Sequence, residues 1–193
     1  SRLRGWDNRD VAPKADDIYG ERLYCIRWVD TWTEWVENSK GESVEETFSE
    51  RHYLAPTPSD LKREAQVLTL LMERFDEWQA GGFIPSRKIA RGYNTDQPIR
   101  ERGWTHWHHL FTPRQLLVNG LFAVTVSRCG FSPEVGVAMI LGVGRCADWN
   151  SRLCRWGTGA SRESISQTFS NQALNTLYNY GGRALSQLSS TAL

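Results

Sequence analysis

A mainly α fold of the α+β kind, with about four to five helices behind a small N-terminal β-hairpin, is what this 193-residue sequence predicts. Three observations lead there. Apolar residues recur at three- and four-residue steps from Thr57 onward. Helix-start signatures of Thr or Ser followed by Pro stand at 57, 112 and 132. Before Thr57 the favoured residues are aromatic and β-branched, and they alternate with polar ones.

Taken in order, residues 1–20 are polar, carry Pro13 and Gly20, and predict a loosely held entry segment. LYCIRWVD (23–30) alternates and is rich in β-favouring side chains. ERHYLAP (50–56) is its partner across an acidic loop containing Lys40 and Gly41, giving a small antiparallel hairpin. The organisation is then an entry segment with a hairpin subdomain at 1–56 and a helical domain at 57–193. Trp28, Trp32 and Trp35 read either as a binding platform or as the packing of the hairpin onto helices.

Thr57, Pro58 and Asp60 supply an N-cap, a proline at the first helical position and an acid in the first turn. The stripe Leu61, Ala65, Leu68, Met72 and Phe75, flanked by Leu71 and Trp78, predicts a helix ending at Gly81 and Gly82. Residues 83–103, with Pro85, Gly92, Pro98 and the cations Arg87, Lys88, Arg91, Arg100 and Arg102, read as an exposed basic loop. Such a run is a solvated surface or an arm following a phosphate backbone. Thr112, Pro113 and Gln115 form a capping box for a helix over Leu116, Leu117, Gly120, Leu121 and Val124, stopping at Gly130. Ser132 and Pro133 begin another through Val135, Met139, Cys146 and Trp149. Ser161 is the expected cap of a further helix, with Ile165, Phe169, Ala173 and Leu177 inward and Gly181 and Gly182 closing it.

Composition narrows the function classes. The chain has 40% hydrophobic residues and nine tryptophans, which argues against disorder throughout. No run reaches the roughly 18 apolar residues that span a bilayer. The opening SRLRGWDNRD has no signal-peptide core and no initiator methionine, so a soluble, cytoplasmic piece of something longer is expected. The net charge of +1 conceals two unlike halves: residues 1–111 hold 16 Lys/Arg against 19 Asp/Glu, whereas residues 112–193 hold 7 against 3. All basic residues of the second half are arginines, the side chain suited to bidentate contact with phosphate or guanine.

Cys25, Cys129, Cys146 and Cys154 form no C-x-x-C pair, and free, mostly buried thiols are expected. VGVAMILGVG (135–144) looks like a strand and glycine-rich turn, but the third glycine and the downstream acid of a dinucleotide site are missing. Gly136, Gly142 and Gly144 instead predict close helix packing at a crowded interface, at a cost of about 1 kcal/mol each relative to alanine. His106, His108 and His109 cluster before the Thr112 helix without acids or cysteines at matching spacing, so no metal site is assigned. No catalytic motif is present, and no catalytic residue is assigned.

The stretch ADWNSRLCRW (147–156) places two tryptophans, two arginines, an asparagine and a cysteine in ten positions. Guanidinium groups and aromatic rings in that mixture suit phosphates and bases. With GWTHWHHLFTPRQLL (103–117) before it and ISQTFSNQALNTLYNYG (165–181) after it, the second half of the chain resembles the central region of a group of large prokaryotic adenine-specific DNA methylases. The resemblance implies that a zinc ribbon and an S-adenosylmethionine turn lie upstream in the full-length protein and a D-P-P-Y loop downstream. Neither of the last two motifs occurs in these 193 residues. This chain holds no cofactor itself on that reading, and is inactive alone.

The resemblance further implies an inserted domain that reads or clamps double-stranded DNA, in a protein of restriction-modification or phage defence. Its partners are then DNA and the catalytic halves of the parent methylase, and a dimer is a further option. Arg114, Arg152 and Arg155 would contact phosphate or base edges, Trp149 or Trp156 would stack, and Gln115, Asn150, Asn171 and Gln172 would supply amide hydrogen bonds. The competing reading is a structural or oligomerisation domain that orients the catalytic halves without touching DNA. Trp149, Cys154, Asn171 and Gln172 fit that reading as core or helix-bridging residues.

Overall fold

The computed structural model describes residues 3–14, 17, 21–157 and 164–169. Two compact units divide the chain: Glu21–Glu64 forms one, and Ser1–Gly20 with Ala65–Leu193 forms the other. The N-terminal segment therefore belongs with the helices, and not with the hairpin as the 1–56 boundary supposed.

In the first unit, strands β1 (Ile26–Glu37) and β2 (Ser43–Leu54) pair antiparallel, from Ile26 opposite Leu54 to Glu37 opposite Ser43. At 12 residues each they are longer than the 8 and 7 residues expected, and take in most of the loop that its acids had marked as irregular. The turn is held by Asn38, whose side-chain oxygen accepts from the backbone N–H of Lys40 at 2.9 Å and of Glu42 at 3.0 Å. Gly41 occupies φ 77°, a left-handed conformation that favours glycine. Side chains alternate between the two faces of such a ribbon. Trp28, Trp32, Val36, Val44, Phe48 and His52 thus share one face, where Trp32 stacks on Phe48 with ring centroids 6.0 Å apart. Trp28, Trp32 and Trp35 are all exposed.

Helix α1 (Pro58–Met72) opens as its sequence requires. Thr57 Oγ1 accepts from the Asp60 N–H at 3.3 Å, and the Asp60 carboxylate accepts from the Thr57 N–H at 2.9 Å. The predicted single helix is broken at Glu73 and Arg74, and α2 (Phe75–Ala80) follows, ending at Gly81 and Gly82. Leu71, Phe75 and Trp78 remain on the inward side and, with Val11, Ile84, Leu116 and Val124, form one cluster of the core. Full burial of Leu71 or Phe75 contributes about 1.5–3 kcal/mol each.

A second cluster joins Trp6, Ile89, Trp104, Leu110 and Leu153. Its members come from the N-terminal segment, from residues 89–110 and, much later in the chain, from Leu153. The entry segment is consequently well anchored. The Trp6 N–H donates to Gly103 O at 3.1 Å, Asn8 Nδ2 donates to Gln79 Oε1 at 2.9 Å, and Arg4 pairs with Asp10 and Asp17. The 83–103 region is likewise not a simple exposed loop: it buries Ile84 and Ile89 and contains α3 (Asp96–Arg102). Gly103 closes that helix at φ 70°, where an added Cβ would lie 2.0 Å from Arg4 O. Packing as well as backbone conformation requires glycine there.

Helix α4 (Pro113–Arg128) carries the Thr112–Gln115 capping box, and α5 (Pro133–Trp149) is capped by Ser132, which accepts from Val135 N–H. Gly130, at φ 62°, separates them. The glycines of the two helices differ in use. A Cβ on Gly120 would lie 2.4 Å from the Trp78 ring, so α4 approaches α2 closely at that point. A Cβ on Gly136, Gly142 or Gly144 would meet nothing within 4 Å, so the crowded interface expected along α5 is not present within the described chain.

After α5 the expected Ser161 helix gives way, where the chain is described, to a strand. β3 (Arg155–Gly157) pairs antiparallel with β4 (Ser164–Ser166), with Trp156 opposite Ile165. Gln167–Phe169 are not helical either, and Phe169, expected to face inward, is exposed; residues 161–163 and 170–182 of that expected helix lie outside the described residues. Among the described residues, no helix is long and apolar enough to cross a membrane.

Candidate functional site

The ADWNSRLCRW stretch begins in the last turn of α5 and turns back into the helical unit. Arg152 decides its character. The side chain is 1% exposed; Nη1 donates to His109 O at 2.8 Å and Nη2 to Val11 O at 3.2 Å. Its guanidinium carbon lies 5.4 Å from the Trp6 ring centroid and 5.5 Å from that of Trp104. The Arg152 backbone N–H donates to Leu110 O at 2.8 Å. One residue thereby ties the end of α5 to the N-terminal segment and to the histidine-rich turn. Two carbonyl acceptors and two aromatic rings are groups that suit a buried guanidinium.

Its neighbours are equally committed. Asn150, Ser151, Leu153 and Cys154 are buried. The Ser151 and Thr168 hydroxyls lie 2.6 Å apart, and Ser151 Oγ accepts from the Leu153 N–H at 3.0 Å. Asp148 O accepts from the Thr168 N–H and hydroxyl at 2.8 Å each, and from the Cys154 thiol at 3.4 Å. These bonds bring the β4 end of the chain back onto the α5 terminus. Trp149 is half-buried, with the Arg145 guanidinium 5.3 Å from its ring centroid.

The three histidines occupy a 3₁₀ turn (Trp107–Leu110) and its cap, and all are buried. His109 Nδ1 accepts from the backbone N–H groups of Thr105 and His106, both at 3.2 Å. That leaves the proton on Nε2, which lies 3.0 Å from Asp7 O and donates to it. Burial, followed by the neighbouring His108 ring, pushes His109 down to about 3. Burial, followed by His106, pushes His108 down to about 4. Both rings are neutral at pH 7, and they pack edge-on with centroids 4.3 Å apart. Among the described residues, no group of three His, Cys, Asp or Glu side chains converges on a metal position.

Of the residues expected to face DNA, Arg152, Asn150 and Gln115 are therefore interior. Gln115 Oε1 accepts from the Thr112 N–H at 2.8 Å as the capping-box partner. Arg114 and Arg155 are exposed, and Trp156 is half-buried on β3. Asn171 and Gln172 lie outside the described residues. Arg87, Lys88, Arg91 and Arg100 are exposed, with Arg91 3.8 Å from Asp96 and Arg100 3.4 Å from Glu101. Arg102 is half-buried, its guanidinium 5.9 Å from the Trp104 centroid. The motif and the basic residues do not form one continuous set: Asn150 to Cys154 build the interior, whereas Arg155 and the cations Arg87, Lys88, Arg91 and Arg100 lie on the surface.

Sequence reading missed Trp6 and Val11, which meet Arg152 from the far end of the chain. The available signal was a tryptophan and a valine in an otherwise polar segment. It also missed the apolar outer face of α5, where Val137, Ile140 and Leu141 are exposed at helical spacing. Comparison with protein-family models, with curated sequences and with solved structures finds no match to this chain.

Proposed function

We propose that this chain is a non-catalytic internal domain of a large prokaryotic adenine-specific DNA methyltransferase, acting mainly as a scaffold. S-adenosylmethionine would be held elsewhere in the full-length protein. The carrying observation is the burial of Arg152 beside Trp6 and Trp104, with Nη1 donating to His109 O and Nη2 to Val11 O. A guanidinium engaged in that way supports a joint between chain segments and leaves base reading to other groups. The support for the methyltransferase context is the ordered set of motifs at 103–117, 147–156 and 165–181.

Contact with double-stranded DNA, in this proposal, falls to exposed cations: Arg87, Lys88, Arg91 and Arg100, with Arg114 and Arg155 as further candidates. Fluorescence anisotropy of the 193-residue chain with a labelled duplex across a salt series tests it. Arg87→Ala, Lys88→Ala and Arg91→Ala are each expected to weaken binding and to flatten the log-log salt slope by about 1. Absence of binding even at low salt, or a slope indifferent to all three changes, would leave scaffolding without DNA contact.

A further inference from the structure

Tyr93 is 100% exposed, although the chain on both sides of it is firmly placed. Before it, Ile89 is buried and its N–H donates to Thr105 O at 2.9 Å, the Trp107 N–H donates to Arg87 O at 3.1 Å, and Lys88 bridges antiparallel to His106. After it, α3 starts at Asp96 and buries Pro98. The turn between these anchors is closed on itself. Thr95 Oγ1 donates to Ala90 O at 2.6 Å, and the N–H groups of Thr95 and Asp96 donate to Gly92 O at 3.0 and 2.9 Å. The Gly92 N–H donates to the Asp96 carboxylate at 3.3 Å. Tyr93 and Asn94 stand exposed at the tip. A single exposed aromatic is ordinary on a protein surface; what sets Tyr93 apart is the pinned backbone beneath it and the charge around it.

Residues 83–102 hold five Lys/Arg against two Asp/Glu. Both acids stand near a cation, Asp96 at 3.8 Å from Arg91 and Glu101 at 3.4 Å from Arg100, whereas Arg87 and Lys88 have no ion-pair partner among the described residues. A net positive surface with an open aromatic face is the combination that holds single-stranded nucleic acid: cations follow the backbone, and the ring stacks on a base of any identity. Within a continuous duplex each base already has a neighbour on both faces, so a protein ring finds a free face only where bases are unpaired. We propose that the 87–95 turn binds an unpaired stretch of nucleic acid, with one base stacked on Tyr93 and the flanking phosphates on Arg87, Lys88 and Arg91. Because the turn is already closed by its own hydrogen bonds, little backbone ordering opposes binding. This inference rests on the DNA-contact reading and adds to it a preference, at this turn, for unpaired bases.

Fluorescence anisotropy of the 193-residue chain with a labelled oligothymidine and with a labelled duplex, each across a salt series, tests the proposal. Tyr93→Ala is expected to weaken oligothymidine binding about tenfold and to leave its log-log salt slope unchanged, since no phosphate contact is lost. Duplex binding by the same variant is expected to stay within about twofold of the parent chain, and Tyr93→Phe, which keeps the stacking face, to stay within about twofold on both probes. Arg87→Ala is expected to flatten the oligothymidine slope by about 0.7. Tyr93 is fully exposed, so circular dichroism and the thermal midpoint of its variants are expected to match the parent chain. Unchanged oligothymidine affinity in Tyr93→Ala would overturn the proposal, as would an equal loss on the duplex or a Tyr93→Phe variant as weak as Tyr93→Ala. In those cases an Arg87→Ala effect on the slope would leave the DNA-contact reading standing. Absence of binding to either probe at low salt would overturn both.

Discussion

The 147–156 stretch and the 26–54 ribbon are built from similar side chains, tryptophans among charges, and they meet opposite fates. In the first, Asn150 to Cys154 are all buried, Arg152 among them; in the second, Trp28, Trp32 and Trp35 all remain exposed. Composition alone does not separate them. The difference lies in what the backbone offers nearby. Arg152 finds the carbonyls of His109 and Val11 with Trp6 and Trp104 beside them, whereas the ribbon satisfies its own backbone and leaves its side chains outward. A charge-rich aromatic stretch becomes a core when distant segments supply acceptors, and a surface when pairing is purely local.

The sharpest way to break this contrast is to remove one cation from each region. Arg152→Ala deletes two buried hydrogen bonds and two ring contacts and is expected to cost about 3–5 kcal/mol in urea unfolding. Arg51→Ala, on the exposed ribbon, is expected to change stability by less than about 0.5 kcal/mol. Equal effects would erase the distinction.

Acid should act on the interior next to Arg152. The folded protein holds His108 down to about 4 and His109 down to about 3, chiefly by burial. The unfolded chain, with histidines near 6.5, therefore binds more protons as pH falls. Their contribution is complete above about pH 6.5 and is lost progressively as pH drops through 4 towards 3, by on the order of several kcal/mol in sum. Urea midpoints measured from pH 7.5 to pH 4 check this, and a midpoint unchanged over that range would contradict the neutral, buried rings.

Smaller effects distinguish the glycines of α4 from those of α5. Gly120→Ala is expected to destabilise by about 1–3 kcal/mol, because its Cβ would press on the Trp78 ring. Gly142→Ala, facing open space, is expected to stabilise by up to about 1 kcal/mol through helix propensity. Thermal unfolding of the two variants at high salt measures both signs.

Local chemistry was legible in the sequence. The Thr112–Gln115 capping box, the Ser132 cap and the Gly130 stop each depend on residues within a few positions, and each stands where the sequence puts it. Features set by distant contacts were not. α3 was hidden by Pro98 and its charges, although Pro98 sits in the helix's first turn, where proline is tolerated. The pairing of Ser164–Ser166 with Arg155–Gly157 overrode a helical period that began with a plausible serine cap. Arg152 is held by Val11, 141 positions earlier, and no pattern within the motif points there. The expected DNA-facing set therefore mixed exposed arginines with interior ones.

Native-state thiol labelling tests the central claim, that the 147–156 motif is an interior joint, without altering a residue. Cys154 is 0% exposed and its thiol donates to Asp148 O, whereas Cys129 is exposed at the end of α4. Brief alkylation of the folded chain, with the sites mapped by mass spectrometry, should modify Cys129 readily and leave Cys154 protected until denaturant is added. Labelling of Cys154 at the rate of Cys129 under native conditions would contradict the account.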